Sequence, residues 1–252
     1  MSELLKKRCL IMEIGEIISD AAMYPINNVK ALLIYVVLGI VAFLALIITG
    51  VGLIGAGEAT GLLSGGLGIL GIVGIIIAIA IFALIAGYML DVIKIAINRE
   101  DNAPEIDPVR QIINGIKLFI LSVIYMIIPI IVMAILSAIN ETLALLGLIL
   151  GFILLIVFAI LLVIAQCRFA KTESLGEGLN IGEVINDLKE IGIVKVLAII
   201  IIIGIISYVL SAIATGIGNF SEIIGAILSG IVTIYTTFLQ SRAYGLLYSD
   251  AE

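Results

Sequence analysis

Phe119–Ala138 reads FILSVIYMIIPIIVMAILSA, twenty residues without one Asp, Glu, Lys or Arg. At about 1.5 Å of rise per helical residue it reaches across roughly 30 Å, the hydrocarbon thickness of a bilayer. Five more stretches share its character: Ala31–Leu53, Gly66–Leu90, Leu143–Ala165, Val196–Ala214 and Ile223–Gln240. The charged residues lie between them. Lipid offers the backbone no hydrogen bonds, so such segments cross as helices. The expected fold class is all-α, a polytopic integral membrane protein. Six transmembrane helices form three hairpins, with amphipathic juxtamembrane helices on the cytoplasmic side.

Composition agrees. The chain has 252 residues, 63% hydrophobic and 13% charged, against about 25% charged in a soluble domain. A net charge of −6 argues against a nucleic-acid partner, which needs a basic face. There is no His, and with it go the usual general base and the commonest metal ligand. Cys9 and Cys167 fall outside the apolar cores and read as reduced structural thiols. Lys6, Lys7 and Arg8 precede apolar residues as in a signal peptide. Glu13, Glu16 and Asp20 then interrupt the run, so the segment reads as mature sequence.

Taken in order, residues 3–23 pattern as an amphipathic helix broken by Pro25 and Asn27–Asn28. It either lies flat among headgroups or packs on the bundle. Ten glycines between Gly50 and Gly74 read as close helix packing and a turn within Ile54–Gly65, with a re-entrant segment as the alternative. Asp107 followed by Pro108 signals a helix start running through Val109–Lys117 into the third span. Pro129 sits inside that span as a helix-kink candidate. Lys171–Leu179 reads as a loop, and Asn180 with Glu183 as a capping box opening Ile181–Ile191.

The chain is one membrane domain, 1–252, and reads as three units at 1–90, 91–170 and 171–252. Each has an amphipathic helix, a span, a turn and a returning span. With both termini on one side, all thirteen Lys and Arg fall on that side, and only Glu58, Glu141 and Glu222 on the other. The positive-inside rule makes the basic side cytoplasmic, which predicts a multi-pass protein of the cell membrane with both termini inside. Two glycosylation sequons, at Asn140 and Asn219, lie on the outer face.

No span carries an Asp, Glu, Lys or Arg. Ion-coupled transporters keep such groups at mid-membrane, and intramembrane hydrolases need a base or a metal. The reading is therefore non-enzymatic, without cofactor or metal. The most polar span segment holds Thr233, Tyr235, Thr236 and Gln240, which are either interhelical hydrogen-bonding groups or the lining of a pocket. Arg168 and Arg242 stand at the exits of the fourth and sixth spans. Each is positioned to hold a lipid phosphate, to snorkel, or to pair with Asp91 or Glu183.

An ordered set of short motifs carries a resemblance. Ala22-Met23-Tyr24-Pro25 leads into the first span. Gly87-Tyr88-Met89-Leu90 precedes a charged loop and Asp107, followed by Gly115-Ile116-Lys117, Tyr125 and Pro129. Arg168-Phe169-Ala170, the 183–192 helix and Arg242-Ala243-Tyr244-Gly245 complete it. The chain resembles the archaeal and bacterial family catalogued as domain of unknown function 4013. More distantly it is similar in layout to the membrane portion of some glycerophosphodiester phosphodiesterases, whose catalysis sits on a separate soluble domain not expected here. The resemblance implies a multi-span membrane protein and brings no catalytic residues with it. The leading expectation is a non-enzymatic module that organises membrane lipids, protein partners or further copies of itself. The alternatives are a passive transporter or channel for a neutral or apolar solute, and a lipid-modifying enzyme on the cytoplasmic face.

Overall fold

The computed structural model of the chain describes residues 12–58 and 62–251. Its helices are α1 (Ile14–Asn27), α2 (Val29–Glu58), α3 (Leu62–Ile97), α4 (Pro108–Ser137), α5 (Glu141–Thr172), α6 (Leu175–Leu179), α7 (Ile181–Ile191), α8 (Ile193–Gly218) and α9 (Glu222–Tyr248), followed by a 3₁₀ turn at Ser249–Ala251. No strand occurs among the described residues. Six of the helices are long and apolar enough to cross a membrane. Ile and Val, which dominate them, are indifferent helix formers in water. In lipid the backbone has no other partner, and helix is the outcome.

The long helices pair as α2 with α3, α4 with α5 and α8 with α9. Within the bundle α9 packs against α1, α2, α3, α5 and α8, whereas α8 touches only α9 and the small helices α1 and α7 among the well-packed pairs. Small residues set the closest approaches. A Cβ on Gly87 would lie 1.8 Å from the Gln111 carbonyl oxygen, and one on Gly115 would lie 1.8 Å from that of Ala83. The α3 and α4 backbones therefore touch twice. Gly245 of α9 meets the Ile93 carbonyl of α3 in the same way.

The buried core has two parts. The larger runs from Ile17 and Ala21 through Leu121, Tyr125, Ile164, Val184 and Ile199 to Leu246. The smaller is aromatic. Tyr35 and Tyr88 stack with ring centroids 4.1 Å apart, and Phe238 meets both rings. Outside these cores the flanks expose Ile, Leu, Val and Phe throughout, as suits a lipid solvent.

Several expectations change in detail. Residues 1–11 lie outside the described part, and the first helix runs from Ile14 through Pro25 to Asn27 instead of breaking at the proline. Burial of Ile17, Ala21, Tyr24 and Pro25 outweighs the missing N–H. The helix packs on the bundle, against α9, α2 and α8. Helix continues to Glu58 and resumes at Leu62, so the connector expected within Ile54–Gly65 is helical except at 59–61, which lie outside the described residues. The loop expected at Lys171–Leu179 is mostly helical: α5 extends to Thr172 and α6 follows. Asp107 does cap α4, its side chain accepting from the Arg110 N–H at 3.2 Å, with Pro108 at the first position. Asn180 caps α7, accepting from the Glu183 N–H at 3.4 Å. The Glu183 carboxylate turns to Arg168 instead of closing a capping box.

Candidate functional site

The antiparallel hairpins bring one set of helix ends together: those of α3 and α5, the starts of α4 and α8, and the last turns of α9, with α1 and α7 beside them. These ends carry the charge, and four ion-paired clusters tie them together.

The innermost is Arg242, only 1% exposed. Its Nε donates to Asp20 of α1 at 2.7 Å and one Nη to Asp101 at 2.7 Å, while the other donates to the Glu100 carbonyl. The guanidinium stands 4.9 Å from the Tyr24 ring centre. One side chain thus joins α9, α1 and the 98–107 loop. Burial pushes the Tyr24 hydroxyl up to about 12, against the pull of Arg242.

The second cluster centres on Arg168. It meets Glu177 at 2.8 Å, Asp187 at 3.0 Å and Glu183 at 3.5 Å, joining α5 to α6 and α7. The Tyr248 hydroxyl donates to the same Asp187 at 2.6 Å, which adds α9. The third is Asp91. Arg110 grips it with two parallel hydrogen bonds, 2.8 and 2.9 Å, and Gln111 Nε2 donates at 2.8 Å. Beside it Lys94 and Glu173 pair at 2.6 Å, and the lysine holds the Glu173 carboxyl below the usual carboxylate range. The fourth is Asp250, which accepts from the Met12 N–H at 3.1 Å and from Arg99 at 3.4 Å, and pairs with Lys195. It draws the two ends of the described chain together.

Of the residues singled out from the sequence, Arg168 finds Glu183, but Arg242 finds neither Asp91 nor Glu183. It does not snorkel either, because four of its hydrogen bonds are already made inside the protein. Asp91 belongs to Arg110, which stands in the first turn after the helix start at Pro108 and ahead of the charge-free Phe119–Ala138. The stripe Gln111, Asn114, Leu121, Tyr125, Pro129 is the buried face of α4, and its helical spacing was the available signal.

The hydroxyl set is bonded within the protein. Thr233, Thr236 and Thr237 donate to their own helix's carbonyls at Ser229, Val232 and Thr233, at 2.7–2.9 Å. The Tyr235 hydroxyl donates to the Ala22 carbonyl at 2.8 Å, a tie between α9 and α1. Gln240 donates to the Tyr244 hydroxyl at 2.7 Å. Pro129 is buried within α4, and helix continues on both sides of it.

Among the described residues, two sizeable grooves open at the charged end. One, of about 790 Å³, lies between α1, the 98–107 loop and α9, with Glu16, Asp20, Asp101 and Arg242 in its wall. The other, of about 350 Å³, lies where α1 meets α2, with Asn27, Asn28, Lys30, Tyr88, Pro104 and Ile106 around it. Among the described residues no group of three or more His, Cys, Asp or Glu is placed to hold a metal ion. Cys167 is a buried free thiol that donates to the Tyr244 carbonyl at 3.4 Å.

A family described as "Protein of unknown function (DUF4013)" matches residues 71–218, more than half of the chain, so the chain belongs to that family. The match begins in α3 and ends with α8, and so contains the Asp91–Arg110 cluster and Arg168 with its α6 and α7 partners, but neither Tyr248 nor Arg242. No curated protein and no solved structure matches.

Proposed function

We propose that this member of the DUF4013 family is a non-enzymatic membrane module of the cell membrane, its charged end and both termini cytoplasmic, that organises lipids or partner proteins around a rigid bundle. One observation carries the reading: the aspartates at the helix ends are bonded to the chain's own cations. Asp20, Asp91, Asp101, Asp187 and Asp250 each meet an Arg or Lys of the chain. Such groups fix positions and are not free to turn over a substrate. The apolar flanks supply the surface that faces lipid or a neighbour's helices. Placement of the basic side in the cytoplasm rests on the positive-inside rule.

The experiment is purification of the full chain in mild detergent, followed by native mass spectrometry and thermal unfolding with and without added lipid. Retained lipid or a stable partner, with a rise in unfolding temperature on adding lipid, is the expected result. A monomer that binds nothing and unfolds at the same temperature in lipid and in detergent overturns the proposal.

A further inference from the structure

The groove at the α1–α2 junction has the lining of an interfacial lipid site. Its mouth is polar: Asn27 and Asn28 end α1, and Lys30 follows in the first turn of α2, exposed. The rest of its lining is apolar, with Ala31 and Ile34 on α2 and Pro104 and Ile106 on the loop opposite. The loop wall is held in place, since the Asn28 amide donates to the Asp101 carbonyl at 3.2 Å and the Tyr24 hydroxyl reaches the Asn102 carbonyl at 3.5 Å. Lys30 is the one charged residue among the described lining, in an end of the molecule that is otherwise rich in acids and ion pairs. Its position at the start of the first span sets it at headgroup level.

The second observation is Tyr88. It forms part of the groove's wall, is 0% exposed, and its buried hydroxyl has no hydrogen-bond partner among the described residues. The Tyr35 hydroxyl, on the ring stacked against Tyr88, is buried and unpaired as well, so the two phenols leave unmet hydrogen-bonding capacity behind this wall of the groove, at a cost that a ligand acceptor would relieve. A groove of about 350 Å³ is within the size range of small-molecule sites.

We infer that this groove binds one anionic phospholipid, its headgroup phosphate on Lys30, its glycerol-ester oxygens toward Tyr88 and its acyl chain running along Ile34 and Ile106. This inference names a site and a lipid class for the lipid-organising module proposed above, and rests on that reading.

The test uses the full chain in phosphatidylcholine nanodiscs, with or without phosphatidylglycerol, and reads retained lipid by native mass spectrometry together with the unfolding temperature. The wild type is expected to retain phosphatidylglycerol over phosphatidylcholine. Lys30→Ala lowers that preference about fivefold, the size of one lysine's attraction to an anionic surface, whereas Lys189→Ala, an exposed lysine outside the groove, leaves it unchanged. Tyr88→Phe separates a ligand role from a packing role. In phosphatidylcholine alone it unfolds no earlier than wild type, because it removes an unpaired group. With phosphatidylglycerol present it loses about threefold in preference, one hydrogen bond's worth. Stabilisation by both lipids with no phosphatidylglycerol preference, or with equal losses in Lys30→Ala and Lys189→Ala, overturns the site and leaves the module standing. An effect of soluble glycerol phosphate equal to that of the lipid also overturns it. Indifference to every lipid overturns the module itself.

Discussion

At the scale of single residues, Arg242 is the group whose loss is felt most. It is buried, and Asp20 and Asp101 both face it. Arg242→Ala empties a packed site and unties α1 and the 98–107 loop, while Asp101, 87% exposed, and Asp20, 34% exposed, stay solvated; the expected cost is about 2–3 kcal/mol in thermal or denaturant unfolding in detergent. Arg242→Lys keeps the charge but cannot fork, and should recover only part of that loss. Glu173→Gln touches a half-exposed pair with Lys94 and should cost well under about 1 kcal/mol once solvent screening is counted. Tyr24 gives a pH signature. Burial raises its hydroxyl from 10.0 to about 12 in the folded chain. The stabilisation is therefore complete below pH 10 and is lost as pH rises toward 12. Unfolding midpoints measured across that window should fall less steeply in Tyr24→Phe than in wild type. A cation at a span exit was legible in Arg168 and Arg242, because hydropathy marks where a span ends. Their partners were not: Asp20 is 222 positions from Arg242 in the chain, and only the packing of α1 on α9 brings them together.

At the scale of elements, the helices were legible and their contacts only partly so. A charge-free run as long as Phe119–Ala138 has one outcome in lipid, and α4 contains it. Pro25 shows where local rules lose, because propensity would end α1 there and burial carries it on. Among the glycines, sequence cannot tell a contact from a spacer. Gly87 and Gly115 place α3 directly on the α4 backbone, whereas Gly204 and Gly230 have nothing within 4 Å of a built Cβ. Gly87→Ala or Gly115→Ala must push the two helices apart, at an expected cost of about 1–3 kcal/mol. Gly204→Ala and Gly230→Ala should be neutral or stabilising by up to about 1 kcal/mol, since alanine is the better helix former. A melting series of the four variants in one detergent checks the division. Equal losses in all four would mean that close approach is not what joins α3 to α4.

At the scale of the whole molecule, the decisive feature is that charge and fold agree on one polar end. Lys94, Arg110, Arg168, Lys195 and Arg242 sit on five different long helices, yet all join the same ion-paired layer. Antiparallel hairpins deliver that arrangement only when spans come in pairs, so the count of six and the sidedness support each other. The sequence could show this because it depends on the order of charges along the chain. It could not show that α9 occupies the middle and α8 the edge, which depends on which small residues let backbones approach. The orientation in the membrane is a separate question with a direct test. With Cys9 and Cys167 replaced by Ser, single cysteines are placed at Glu105 and Lys189 on the charged end, and at Asn140 and Phe220 on the opposite turns. All four positions are exposed. In intact cells a membrane-impermeant thiol reagent should label positions 140 and 220 at once, and positions 105 and 189 only after the membrane is opened. The reverse pattern would invert the molecule and leave the fold intact. Labelling that divides 105 from 189, or 140 from 220, would mean that an odd number of crossings separates them, which the shared ion-paired layer forbids.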